Sequence, residues 1–282
     1  MATRSADAPG EAHALRPLRP ETVVLALLGD QILGRRPAVA IGSLITVLGR
    51  LGIGEHATRA TLKRMTQRGL LDTTRQGRQV YLGPTPHAEN ILLDGRRRLE
   101  AEVVNRDWDG RWTLLAFSIP ESRRSDRHVL RTRLTWAGFG LLRNGLWISA
   151  SDTDVSPALD ELDLLSHTKV FRAEAAQWTD PADLVREAWD LDALAAGYTR
   201  FLDRWTHGEF DDLDELSRET LVHGEWLLLL REDPRLPVDL LPADWPGVEA
   251  EQLFWTLRDK LAGPAAKLAS EVLETLPVTA DR

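Results

Sequence analysis

The chain is predicted to be a multidomain α+β protein, and three features of its 282 residues predict this. A helix, a glycine turn, a second helix and a hairpin follow one another between Ile41 and Leu82. A strand, helix, hairpin, helix and strand occupy Trp112 to Ala173. From Pro181 onward helical periodicity continues with no strand signal. The length allows two or three domains with cores of their own.

Residues 1–20 are polar and rich in Ala, Pro and Arg, and are expected to form a disordered tail without a signal peptide. Residues 21–98 form the first predicted domain. Leu44, Ile45, Val47, Leu48 and Leu51 recur at the three-and-four spacing of a helix with one buried face. Gly52 and Gly54 break it. Glu55 puts a negative charge at the positive end of the next helix, which runs to about Arg68 before Gly69 stops it. Thr58, Leu62 and Met65 fall on one side of that helix. Ala60, Lys63, Arg64 and Gln67 fall opposite, with Arg59 on the flank. Leu70 to Thr74 and Gln79 to Leu82 then read as a hairpin whose tip is Arg75-Gln76-Gly77-Arg78. This order of parts is a winged helix-turn-helix.

Such a helix fits the major groove of duplex DNA, where Arg and Lys bond guanine edges and Gln bonds adenine. Arg59, Lys63, Arg64 and Gln67 are the readout candidates, and Arg75, Gln76 and Arg78 the candidates for a backbone or minor-groove contact. Charge distribution agrees. Residues 1–98 hold 15 basic and 8 acidic side chains, a net of +7, so with −8 for the whole chain the remainder carries −15. A basic head on an acidic body fits nucleic-acid binding by the head and sensing or dimerisation by the body.

Residues 99–178 form the second predicted domain. Trp112 to Ile119 is a strand ended by Pro120, and Arg123 to Ala137 a helix with Val129, Leu130, Leu134 and Trp136 apolar. Phe139 to Arg143 and Leu146 to Ser149 flank Asn144-Gly145, a two-residue hairpin signal because both residues tolerate positive φ. A helix over Val155 to Leu165 and a strand over Lys169 to Ala173 complete βαββαβ, a ferredoxin-like order. Residues 179–282 are predicted to be an all-helical effector and dimerisation domain. Its helices are expected over Leu184 to Trp205, Leu213 to Leu230, Glu249 to Leu261 and Ala265 to Leu276. Asp233 to Gly247, with Pro234, Pro237, Pro242 and Pro246, cannot be helical. Leu236, Leu240, Leu241 and Trp245 are expected to pin it as an ordered loop.

Enzyme chemistry finds little support in the residues. A metal-dependent nuclease built on the ferredoxin-like sheet would need a carboxylate near the end of the first strand, which reads Phe117-Ser118-Ile119-Pro120. Asp126, Asp152 and Asp154 are explained as helix or turn residues. His207, Glu209 and Asp211 lack a fourth metal ligand, so no metal or other cofactor is expected. No nucleophile elbow or phosphate loop occurs. There is no Cys, hence no disulfide, which suits a cytoplasmic location. The apolar runs Val23 to Leu28 and Trp226 to Leu230 are far shorter than the roughly 20 residues that span a bilayer.

Taken together the motifs resemble the bacterial phenylacetate-degradation repressor (PaaX) family. The resemblance runs from about Thr22 to Leu261. In the first region it rests on Gly29-Asp30, Gly42-Ser43-Leu44-Ile45, Arg59, Arg64-Met65, Gly69-Leu70-Leu71 and Gly77-Arg78 before Tyr81. Farther on it rests on Trp108-Asp109-Gly110-Arg111-Trp112-Thr113-Leu114, Gly138-Phe139-Gly140, Gly145-Leu146-Trp147-Ile148, and Asp233-Pro234 to Trp245-Pro246-Gly247. Two stretches depart from the pattern: Leu-Leu-Leu-Leu-Arg after Trp226, where relatives are more basic, and Gly69-Leu70, where they often have Gly-Trp. The resemblance implies a dimeric one-component regulator that binds inverted-repeat operators and is released by an aryl-acyl coenzyme A thioester. It further implies a central region similar to the small CRISPR adaptation endonuclease. An aryl-acyl thioester needs an aromatic slot and cations for its phosphates, and His223, Trp226 and Arg258 are the effector-binding candidates. Arg231 and Arg235 are equally compatible with salt bridges.

Overall fold

A computed structural model of the chain describes residues 18–34, 37–100 and 102–277. Apart from 18–20, the expected tail lies outside the described residues. The first region runs α1 (Pro20–Gln31), β1 (Pro37–Ala40), α2 (Ile41–Arg50), α3 (Glu55–Gln67), β2 (Leu71–Gln76), β3 (Gln79–Pro84) and α4 (Pro86–Glu100). Val24 and Leu27 of α1, Leu44, Val47 and Leu48 of α2, and Leu62 and Met65 of α3 are almost completely buried and form one core. The elements β1 and α4 have no counterpart in the sequence pattern. Four residues are too few to show a period, and α4 interrupts its apolar positions with Arg96, Arg97 and Arg98.

The second region comprises β4 (Arg111–Phe117), α5 (Arg124–Trp136), β5 (Gly140–Arg143), β6 (Leu146–Ser149), α6 (Ser156–Glu161) and β7 (Thr168–Glu174). Its sheet has the order β5-β6-β4-β7, with every neighbouring pair antiparallel. Alternation along β4 sends Leu115 to the face covered by Leu130 and Leu134 of α5. Trp112 and Leu114 go to the opposite face, against Val185 and Leu236. At the β5–β6 turn Gly145 takes positive φ (79°), whereas Asn144 does not.

The third region holds α7 (Pro181–Ala188), α8 (Leu191–Thr206), α9 (Glu215–Glu232) and α10 (Pro246–Val272), followed by β8 (Thr275–Pro277). Asp180, Asp190 and Asp214 cap α7, α8 and α9, each carboxylate accepting from a first-turn backbone N–H. Helix α7 lies so close to β5 that a Cβ on Gly140 would stand 2.6 Å from the Ala188 carbonyl, so only glycine fits there. The core of this region is aromatic: Trp226 stacks on Phe254 at 4.9 Å and 10°, and Tyr198, Phe201, Trp205 and Trp245 surround the pair.

Three expectations for the third region need correction. The helix expected over Leu184 to Trp205 is two helices, because Asp190 leaves helical geometry to cap α8. The helices expected on either side of Gly263-Pro264 are one, α10, with Pro264 inside it. An interior proline costs a helix about 3 kcal/mol, but Leu257, Leu261, Ala265 and Ala269 keep one buried face running past it. The third error is the absence of strands after Pro181. β8 pairs antiparallel with β1, making the order of the first sheet β2-β3-β1-β8. Leu216, Ala265, Ala269 and Leu273 of the third region also belong to the core of the first.

Candidate nucleic-acid interface

Helices α2 and α3 are joined at Leu51 to Gly54, where Gly52 adopts φ 75° and Ile53 donates its N–H back to the Leu48 carbonyl. Glu55 sits in the first turn of α3 and accepts from Arg59 Nε at 2.7 Å. Gly69, at φ 68°, ends the helix, and the Thr85 hydroxyl donates to its carbonyl at 2.7 Å. This anchors the helix exit to the start of α4.

Thr58, Thr61, Leu62 and Met65 face the core, whereas Arg59, Lys63, Arg64 and Gln67 are exposed. The four exposed candidates divide into two groups. Arg59, Lys63 and Gln67 follow each other at i+4 and i+8, a stripe spanning about 80° around the helix. They line a groove of about 310 Å³ whose far wall is Thr73, Val80 and Leu82 of the hairpin. Arg64 lies outside that groove and bonds Thr61 Oγ1 at 2.9 Å. The strands reach farther than the sequence pattern suggests, from Leu71↔Pro84 to Gln76↔Gln79. The tip is thus Gly77-Arg78 alone, with Gly77 at φ 61°, while Arg75 and Gln76 lie in β2. All three candidate hairpin side chains, Arg75, Gln76 and Arg78, are exposed.

The hairpin is tied to the far end of the chain. Tyr81 donates its hydroxyl to Glu274 Oε1 at 2.7 Å, and Gln79 Nε2 donates to Glu274 Oε2 at 3.2 Å. The bond to Glu274, then burial, raises the Tyr81 pKa. The Glu274 N–H donates to Ser43 Oγ at the start of α2. Arg50 at the end of α2 pairs with Asp214 at 3.2 Å, and Arg68 pairs with Glu21. Sequence reasoning had no signal for Glu274, because its partners are about 190 residues away.

The candidate effector residues lie elsewhere: His223 where α9 meets α1, Trp226 in the aromatic core of the third region, and Arg258 on α10. His223 is 4% exposed, with Nδ1 2.6 Å from Asp30 Oδ1, and Trp226 is 1% exposed within the aromatic core. Both occupy packed interior, so neither offers its ring to a ligand arriving from outside. Arg258 is half-buried, its guanidinium 4.8 Å over Trp255. Beside His223, Gln31 Nε2 donates to Glu219 Oε2 at 2.6 Å. Burial, then the Asp30 charge, raises Glu219 to about 7.

Arg231 lies 4.3 Å over the Trp136 ring, and Arg235 donates to the Arg98 carbonyl; neither forms an ion pair among the described residues. Glu209 is held by Arg204, Asp211 by Arg218, and Asp126 by Arg123. Asp154 accepts from the Ser156 N–H.

Three family patterns match the chain. One, described as PaaX-like protein, covers residues 19–83; the PaaX protein central Cas2-like domain covers 105–185; the PaaX-like protein C-terminal domain covers 189–271. The Transcriptional repressor PaaX of Escherichia coli (strain K12) is 30% identical over 283 residues, spanning 93% of this chain and 87% of the relative. Among solved structures, the uncharacterized protein Rv0674 from Mycobacterium tuberculosis is 25% identical with a TM-score of 0.63, covering 90% of this chain and 99% of that one.

Proposed function

The chain belongs to the PaaX family, and from that premise we propose that it is a ligand-responsive transcriptional repressor, with no catalytic step, that binds operator DNA through its N-terminal region. In this reading α2, α3 and the β2–β3 hairpin form a winged helix-turn-helix, and the central sheet is a ferredoxin-like, Cas2-like domain. The observation that carries the reading is the exposed stripe Arg59, Lys63 and Gln67 beside a basic hairpin. α3 enters the major groove, Arg59 and Lys63 bond guanine edges, and Gln67 bonds adenine. Arg75, Gln76 and Arg78 lie along the neighbouring backbone or minor groove, and Arg64 reaches a phosphate or base on the other flank of the helix.

The repressor acts in the cytoplasm as a homodimer on inverted-repeat sites, its two recognition helices held roughly 34 Å apart or at a multiple of that spacing. Among the described residues no helix is long and apolar enough to cross a membrane. An aryl-acyl coenzyme A effector binds better to a body that holds the helices at another spacing, so it lowers DNA affinity by the same coupling factor, about 1 to 3 kcal/mol. The effector and the DNA need not touch.

The test is fluorescence anisotropy of a labelled duplex from upstream of the gene, titrated with protein with and without phenylacetyl coenzyme A. Tight binding that resists a scrambled competitor and is weakened by the thioester is the expected result. Equal binding to scrambled DNA would replace the operator-specific reading with an architectural one. The absence of any binding at moderate salt would overturn the reading.

A further inference from the structure

A cavity lies where the three regions meet, and it shares no lining residue with the groove on α3. It holds about 500 Å³ and is walled by Arg97 and Arg98 of α4, Arg106 of the connecting segment, Trp136 at the end of α5, and Arg235 just beyond α9. That volume is within the range of small-molecule sites, roughly 300 to 1,000 Å³.

Acidic side chains also line it, but most are already engaged. Asp94 bonds Arg98 at 2.8 Å and approaches Arg97 at 3.7 Å, and Glu102 bonds Arg106. Asp233 turns its oxygens inward, accepting from the Tyr198 hydroxyl and from the Arg235 N–H. What remains is Arg235, half-buried, whose guanidinium donates only to the Arg98 carbonyl and has no ion pair among the described residues. Burial, then the neighbouring Arg98 charge, lowers its pKa. Arg235 is thus a cation at the cavity wall without an ion-pair partner among the described residues, a group that an arriving anion satisfies.

The local backbone is unusual at the same place. Arg235 is one of two non-glycine residues with positive φ (54°) among the described residues, a conformation that surrounding structure must impose. Opposite it, Gly138 at φ 82° lets the central region approach so closely that a Cβ there would lie 3.2 Å from the Pro234 carbonyl. Trp136, 47% exposed, presents its ring in the same cavity, with Arg231 on one face.

We propose that this junction cavity is the effector site, taking an organic anion that carries a planar aromatic group, with Arg235 and Arg98 binding the anion and Trp136 packing against the ring. The proposal rests on the ligand-released repressor reading above and locates its sensor. A ligand here touches α4, α5 and the end of α9 at once, so it acts on how the head sits on the body.

The experiment is calorimetric titration of the full chain with three probes, phenylacetate, coenzyme A and phenylacetyl coenzyme A, paired with operator anisotropy. At least one probe binds the parent protein; carboxylate and phosphate anions are separated by which one does. Arg235→Gln weakens that probe at least tenfold. Because Arg235 is half-buried, a second variant, Arg97→Ala with Arg106→Ala, keeps the test valid if Arg235→Gln does not fold, and it too weakens the probe severalfold. Trp136→Ala erases the preference for phenylacetyl coenzyme A over coenzyme A. Unchanged affinity in the folded variants overturns the assignment, as does a parent protein that binds none of the probes at about 1 mM. If the thioester releases parent and variants from DNA alike, the cavity is refuted while the release reading stands. If variants lose the probe but the probe never alters operator binding, the cavity stands and the release reading fails.

Discussion

Cut at residues 18–100, the head should not be a stable domain. Its core includes Leu216 and Leu273, 0% and 7% exposed, and the methyl groups of Ala265 and Ala269, all contributed by the third region. Burying each leucine is worth roughly 1.5 to 3 kcal/mol and each methyl about 0.8 kcal/mol. Excision therefore removes roughly 5 to 8 kcal/mol. A domain of this size has a total stability of only about 4 to 12 kcal/mol. Loss of β8 adds little to that sum, since the N–H and C=O groups of β1 freed by its departure turn to water. Circular dichroism and thermal unfolding of the fragment should show a broad, low transition, with DNA affinity far below that of the full chain. A sharp, cooperative transition and full operator affinity in the fragment would refute the shared-core argument.

Lys63→Ala should weaken operator binding about 5- to 150-fold if the ammonium bonds a base edge, corresponding to roughly 1 to 3 kcal/mol, or lower the slope of log affinity against log salt by about 1 if it bonds phosphate. A variant indistinguishable from the parent in both would remove α3 from the interface. Arg64→Ala should relax or abolish operator binding and leave ligand binding intact; simultaneous loss of both in a folded variant would count against separate sites. Glu219 is faced by Asp30 and Gln31 from α1, His223 from α9 and Arg258 from α10. Its folded pKa, about 7, exceeds the unfolded value, so the native state holds an extra proton between about pH 4.5 and 7. The cost to stability is absent below that window and fully present above it, on the order of 3 kcal/mol. Glu219→Gln should thus raise the melting temperature at pH 8 and flatten stability between pH 5 and 7; an unchanged slope would contradict this. Trp226→Ala should cost about 3 to 5 kcal/mol by opening a cavity beside Phe254, measured by denaturant unfolding, and a loss below 1 kcal/mol would show that the stack collapses to fill it.

Features fixed by local geometry were readable from the sequence. The turns at Gly52, Gly69 and Gly77 require positive φ, and the residues around them alternate or recur over a few positions. Hence α2, α3 and the hairpin were found, as were the four strands and two α-helices of the central region. Elements whose existence depends on distant partners were hidden. β8 is three residues long and exists because β1 offers an edge to it, and no short window displays that pairing. α10 continues through Pro264 because of packing that a proline rule cannot see. His223 and Trp226 drew attention by chemical type, yet burial against α1 and α10 makes them interior residues. The cavity did leave a trace, the run Arg96-Arg97-Arg98, but its partner Arg235 lies 137 residues from Arg98.

The pairing of β8 with β1 also sets a timetable for synthesis. Residues 18–84 leave the ribosome early, but the strand and helix end that complete their sheet and core are made about 190 residues later. At about 5 to 20 residues per second, that is a wait of roughly 10 to 40 s. During it the proposed DNA-reading surface is present as chain but lacks its finished scaffold. Premature termination between Arg78 and Ala265 yields a polypeptide that contains every DNA-contact candidate and still lacks part of the core that positions them. Under the proposed repressor reading, such products would be poor competitors for the operator, and the far end of the chain would act as a proofreading seal on the near one.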